Sequence, residues 1–161
     1  MKTKLKLYVD TSVWSFYFAD DSPEYRNATR SFFDLALAGV YDLCISQVVL
    51  DEIDGTTDPA LRQKLLDLVD KAGAEILPLE AGATDLGYSY IKEGVLPEKS
   101  LNDAMHVAVA TLNNVGVILS WNFKHLANIR RNNAFNAANL ARGYRPDIHI
   151  VTPLEVMENE L

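Results

Sequence analysis

Apolar positions along the chain fall into short continuous runs that alternate with stretches of helical period. Leu5–Asp10 is a strand-like run that ends on an acid, and Thr11–Phe18 is apolar and aromatic, as in a short helix. Pro23 suits the first turn of a helix to about Ala38, with Ser22 as cap and Gly39 as stop. Tyr41–Ser46 is a second strand. Ser46 can cap a helix that runs through Ile53 and closes at Gly55, and Asp58-Pro59 opens another that ends near Gly73. Glu75–Leu79 predicts a strand stopped by Pro78. Ala81–Lys92 predicts a helix and Gly94–Pro97 a loop. The clearest helix is Ser100–Asn114, where Leu101, Met105, Ala108 and Leu112 form one apolar stripe. Val115–Trp121 reads as a buried strand, Asn122–Leu140 as helical with a break, Ile148–Thr152 as a last strand, and Pro153 as the start of a closing helix.

Strands and helices in alternation predict an α/β fold: three layers, with a mainly parallel central sheet. A chain of 161 residues without repeat, linker or low-complexity tract fits one domain over 1–161. In such sheets ligands bind beyond the carboxyl ends of the strands. Three acids sit where that rule points. Asp10 closes the first strand, Glu52 lies in the helix after the second, and Asp103 lies in the first turn of the Ser100 helix, away from its apolar stripe. Together they offer the oxygen ligands that hard divalent cations require. Each also has a structural reading. Asp10 before Thr11-Ser12 is a plausible helix cap, Ser100 and Asp103 have capping-box spacing, and Glu52 has the acidic neighbours Asp51 and Asp54. Position alone leaves both readings open.

Four local strings resemble, in order, the PIN-domain nucleases, whose best-known members are VapC-type toxins. Leu7-Tyr8-Val9-Asp10-Thr11-Ser12 is similar to the opening motif, an apolar strand ending in Asp and then Thr or Ser. Ile45-Ser46-Gln47-Val48-Val49-Leu50-Asp51-Glu52-Ile53 is similar to the second, where the acid follows a strand-ending Ser by six positions. That register selects Glu52 over Asp51. Leu101-Asn102-Asp103-Ala104-Met105-His106-Val107-Ala108 resembles the third motif. Val117-Ile118-Leu119-Ser120-Trp121-Asn122-Phe123 resembles the fourth, with Asn122 where many members carry Asp. The resemblance spans about Leu5 to Thr152.

This resemblance implies a ribonuclease that hydrolyses phosphodiesters with magnesium or manganese held by Asp10, Glu52 and Asp103, leaving 5′-phosphate and 3′-hydroxyl ends. It implies that Asn122 orients water or substrate, that Thr11, Ser46 and Ser120 steer the carboxylates by hydrogen bonds, and that His106 is a candidate phosphate contact. It also implies a homodimer and an antitoxin protein partner. The rival reading, kept alive by Asn122, is a scaffold that binds RNA or protein without cutting. Glu52-Ile53-Asp54-Gly55-Thr56 has the outline of a haloacid-dehalogenase signature but lacks its aspartate nucleophile, and Asp54-Gly55 reads as a helix stop.

Charge refines the expected substrate handling. The net charge of −7 excludes a protein that coats nucleic acid through overall basicity. Lys124–Arg145, however, holds five Lys or Arg and no Asp or Glu. Lys124, Arg130, Arg131, Arg142 and Arg145 are therefore expected to meet the phosphates of RNA, in single-stranded form, beside the acids. Five asparagines within Asn128–Asn139 read equally as a phosphate-binding face or a solvated helix. Trp14, Phe16 and Phe18 suit base stacking less well than core or dimer packing. A single cysteine, Cys44, in an apolar run and no export or membrane-spanning segment point to a buried thiol and a cytoplasmic location.

Overall fold

The computed structural model describes residues 3–158. The first apolar run forms β1 (Leu5–Val9), followed by α1 (Thr11–Phe16) and α2 (Pro23–Leu37). Next come β2 (Tyr41–Ser46), α3 (Gln47–Asp54), α4 (Pro59–Ala72) and β3 (Glu75–Leu77). The second half contributes α5 (Ala81–Lys92), a 3-10 turn (Glu98–Ser100), α6 (Leu101–Leu112), β4 (Val117–Leu119), α7 (Ile129–Ala141), β5 (His149–Val151) and α8 (Pro153–Glu158). The strands form one sheet in the order β3-β2-β1-β4-β5, and all four pairings are parallel.

The chain builds outward from β1 in one direction, then returns and builds in the other. Right-handed crossovers therefore place the two sets of helices on opposite faces. Contacts agree: α1, α2 and α4 pack on one another, α8 joins α2, and α5 packs along α6. Tyr90 of α5 meets Phe135 of α7, and Asn139 of α7 bonds Thr111 of α6, so α7 belongs to the α5–α6 layer. The result is the expected three-layer arrangement. Its core runs through Leu7, Tyr8, Val9, Ile45, Ile118 and Leu119, all fully buried. Helix α6 is more deeply set than its stripe predicts, since Ala104–Thr111 are buried on every side. Gly87 of α5 permits this approach, because a Cβ there would lie 2.6 Å from Met105 Sδ.

Several local expectations change. Ser46 and Asp58 cap their helices through Val48 N and Ala60 N, and Gly73 ends α4 in the left-handed region at φ 64. Ser22 and Ser100 make no side-chain cap bond, the latter because the 3-10 turn runs straight into α6. Residues 122–128 are an irregular loop, and Asn128 caps α7 by accepting from Arg131 N at 2.9 Å. Cys44 is buried, and its thiol donates to Leu7 O at 3.4 Å. Trp14 is a core residue on Phe33 with its indole N–H on Val9 O, so it neither stacks on bases nor needs a partner subunit to cover it.

The asparagines of α7 have a use that neither expectation foresaw. Asn132 accepts from Ile150 N at 2.7 Å and donates to Ile148 O at 3.0 Å. Asn136 accepts from Ile148 N at 2.8 Å and donates to the same carbonyl at 2.9 Å. Two amides one helical turn apart thus bond Ile148 N, Ile148 O and Ile150 N along the outer side of β5, covering part of an edge that would otherwise be open to strand addition.

Candidate active site

The order of the sheet reverses between β1 and β4, and Asp10 and Ser120 close those two strands. Crevices at such reversals are where open parallel sheets bind ligands. Asp10 continues the ladder by donating its N–H to Leu119 O at 3.0 Å. Its buried carboxylate then does two jobs. Oδ1 caps α1, accepting from Ser12 N at 2.7 Å and Ser12 Oγ at 2.5 Å, while Oδ2 accepts from Ser120 Oγ at 2.6 Å. Ser120 Oγ accepts from Asn122 N at 2.9 Å, and Asn122 Nδ2 donates to Asp103 Oδ2 at 3.3 Å. The cap reading of Asp10 and its place in the site are therefore compatible. One hydrogen-bonded path joins Asp10, Ser120, Asn122 and Asp103.

Glu52 enters from α3. Its Oε1 accepts from Thr11 Oγ1 at 2.9 Å and lies 2.6 Å from His106 Nε2. Asp51, beside it, is exposed and bonded to Gln47. His106 Nδ1 lies 2.7 Å from the Tyr8 hydroxyl, which lies 2.8 Å from Ser46 Oγ. Burial opposes charge on both members of the Glu52–His106 pair, but their mutual attraction outweighs it: the Glu52 carboxyl is lowered and the His106 imidazole raised. Asp103 behaves differently. Burial first, then repulsion from Asp10 and Glu52, outweighs the help of His106 and Asn122 and pushes its carboxyl up to about 6. A carboxyl perturbed by burial beside other acids, in a crevice, is a candidate functional group.

A cationic rim flanks this acid cluster. His125 donates its N–H to Asn122 Oδ1 at 3.0 Å. Its imidazole is lowered by burial and then by the nearby charges of Arg131, Lys124 and Lys99. Lys99 and Lys124 are exposed, whereas Arg131 is partly spent on the Val95 carbonyl.

The PIN-domain sequence model matches residues 7–131. The chain belongs to the PIN-domain family. None of the curated proteins matches significantly. Among solved structures, the fold is similar to a chain of VapBC2 from Rickettsia felis, a complex bound to a DNA fragment from its promoter. The TM-score is 0.55 at 17% identity, covering 92% of this chain and 98% of that one. The two folds therefore agree over nearly their full lengths.

Within this PIN fold seven of the expected residues fall in two hydrogen-bonded groups: Asp10, Ser120, Asn122 and Asp103 form one, and Glu52, Thr11 and, through Tyr8 and His106, Ser46 form the other. Two expectations need correction. His106 is 1% exposed and both ring nitrogens face protein atoms, so it holds Glu52 in place and does not meet phosphate. Arg142 and Arg145 lie beyond the far end of α7, whose 13 residues run about 20 Å from the site toward the amino ends of the strands. They pair there with Glu93 and Asp147 at 2.7 and 2.8 Å. Lys99 was missed in the sequence, although it stands four residues before Asp103; Tyr8 was missed because its role depends on a contact 98 residues away.

The carboxylate oxygens of Asp10, Glu52 and Asp103 are the ligand type that a hard divalent cation takes, whereas the Asn122 amide turns its nitrogen to Asp103 and its oxygen to His125 N. Among the described residues, no three His, Cys, Asp or Glu side chains are gathered closely enough to hold a metal by themselves. Nor is any helix among them long and apolar enough to cross a membrane.

Proposed function

We propose that this PIN domain is a magnesium- or manganese-dependent endoribonuclease that hydrolyses single-stranded RNA. The observation that carries the reading is the acid cluster at the sheet's reversal point, where Asp103 is raised to about 6 beside Asp10 and Glu52. Asp10, Glu52 and Asp103 would hold the cation, with water completing its shell. The bound ion would supply positive charge to the scissile phosphate and a water acidic enough to attack it.

The protein's own groups prepare that chemistry. Ser12 and Ser120 fix both oxygens of Asp10, while Thr11 and the Tyr8–His106 pair fix Glu52. Locking a carboxylate's orientation from behind is how neighbouring groups tune metal sites. Asn122 donates to Asp103 and leaves the site one charge poorer than an aspartate would. Lys99, Lys124, Arg130 and Arg131 bring phosphates toward the acids. The similarity to a chain of the VapBC2 complex supports an antitoxin protein partner; homodimerisation and a cytoplasmic setting belong to the same reading on the sequence's resemblance alone. Asn122 also supports a second reading, a PIN scaffold that binds RNA without cutting.

Cleavage of a 5′-labelled single-stranded RNA, with manganese or with chelator, separates the two readings. The nuclease reading expects fragments ending in 3′-hydroxyl that require manganese and vanish in Asp10→Asn. Stable binding without cleavage at any metal concentration favours the scaffold.

A further inference from the structure

Next to the acid cluster, four aromatic rings from three separate segments meet. Trp121 lies 4.8 Å from Tyr25 and 6.1 Å from Phe123 between ring centroids, and Tyr25 and Phe123 lie 6.2 Å apart. Phe16 supports them from α1, 5.7 Å from Tyr25 and 6.2 Å from Trp121. Trp121 is buried, but Tyr25 is 38% and Phe123 49% exposed. We propose that the exposed faces of Tyr25 and Phe123 form a stacking platform for an unpaired RNA base adjoining the phosphate at the acid cluster. This rests on the nuclease reading and adds a base-binding subsite to it.

Three observations support the assignment. The first is place. Trp121 N donates to Ser12 Oγ at 2.9 Å, and that hydroxyl bonds Asp10. Phe123 directly follows Asn122, which bonds Asp103. The platform is therefore built on the same strand end as the acids. The second is rigidity. Thr29 Oγ1 donates to Tyr25 O at 2.6 Å and accepts from Trp121 Nε1 at 2.9 Å, tying the α2 turn that carries Tyr25 to the loop after β4. The Phe123 carbonyl accepts from Asn128 Nδ2 at 2.6 Å. Rings held in advance bind without the entropy cost of ordering them. The third is charge. Exposed Lys124 follows Phe123, so a ring for a base and a cation for a phosphate stand side by side. Aromatic faces next to cations bind single strands with little regard to sequence, because every base has a face to stack. Paired bases are already stacked, so a duplex is excluded from the platform.

The test is a cycle between protein and ligand. Wild type and the Tyr25→Leu/Phe123→Leu double variant are titrated, in chelator so that nothing is cut, with fluorescent oligouridylate. A matched series replaces one nucleotide at a time by an abasic ribose. Leucine keeps apolar area but removes the π face, and thermal melting of both proteins checks that the fold survives. The platform expects about tenfold weaker binding by the variant, at the scale of one lost stack. It also expects one abasic position that weakens wild type by a similar factor and the variant hardly at all. Equal affinity of the two proteins for intact RNA, or equal sensitivity to abasic substitution throughout, overturns it and leaves a protein-docking patch as the use of these rings. The parent reading fails separately: a chain that shows the coupled stack but never cleaves with manganese keeps the platform and loses the nuclease. One that cleaves with an unchanged KM in the double variant does the reverse.

Discussion

Asp103→Asn should stabilise the metal-free protein, although it removes a side chain at the heart of the site. The reason is the carboxyl's position at about 6, against an ordinary value of 3.8. An acid with a higher pKa in the folded state takes up protons on folding between those two values. Stability is therefore greater at low pH and declines as pH rises from about 4 to about 6, staying low above that. The gap corresponds to about 3 kcal/mol without screening. Asp103 is half-buried, and residual solvent access reduces the expected effect to about 1.5 kcal/mol. Asparagine never ionises, so the variant should exceed wild type by about that amount at pH 7.5 and match it near pH 4. The same change at Asp10 should act in the opposite direction. Both Asp10 oxygens accept from protein donors, and an amide nitrogen would face one of them, at a cost of about 1–3 kcal/mol. Urea unfolding of dilute protein in chelator, followed by tryptophan fluorescence from pH 4 to 8, measures both. An Asp103→Asn protein no more stable than wild type at pH 7.5, or a gain that persists undiminished at pH 4, would refute the account of charge at this site.

Asn122→Asp should place a second acid against Asp103, lowering metal-free stability above pH 6 by about 1 kcal/mol; manganese should raise its melting temperature more than that of wild type, as seen by scanning fluorimetry. Tyr8→Phe removes the hydroxyl between His106 and Ser46, leaving two buried groups short of a partner. It should cost about 1–3 kcal/mol in urea unfolding. Asn132→Ala with Asn136→Ala should expose the β5 edge, with faster amide exchange at Ile148 and Ile150 and self-association visible by light scattering.

The elements were legible because their signals are local. The apolar runs of β1, β2 and β4 and the period of α6 carry their own evidence, and Asp58-Pro59 and Gly73 punctuate α4 as their backbone chemistry requires. The limits were those of local reading. Ser22 and Ser100 have capping chemistry, yet neither side chain makes the cap bond. The stretch after Asn122 has helical composition, but Asn122 and Asn128 turn their side chains onto backbone N–H groups of His125 and Arg131 and hold a loop until residue 129. The carboxylates could be named from their motifs, whereas their environment could not. Tyr8, His106 and Glu52 meet from β1, α6 and α3, and nothing near His106 in sequence announces a bond to residue 8. Charge misled in a similar way. The acid-free stretch Lys124–Arg145 looks unopposed along the chain, but Glu93 reaches Arg142 in space, and Asp147, just past the end of the stretch, pairs with Arg145.

The amide at position 122 gains a different meaning from this geometry. Read along the sequence, it is an aspartate gone missing. In the fold both ends of its side chain are engaged: Nδ2 donates to Asp103 Oδ2, and Oδ1 accepts from His125 N. A carboxylate could keep the second bond but could not donate the first, so the two acids would stay in contact only by sharing a proton, with one of them held un-ionised. The amide thus supplies a donor where the cluster is short of positive partners, and it fixes the turn that carries His125 between Lys99, Lys124 and Arg131. One side chain therefore links the acid cluster to its cationic rim. An aspartate here would need a further cation to restore the balance. An asparagine achieves it with the protein's own donors, and cleavage in manganese decides whether a site balanced in this way cuts RNA or only binds it.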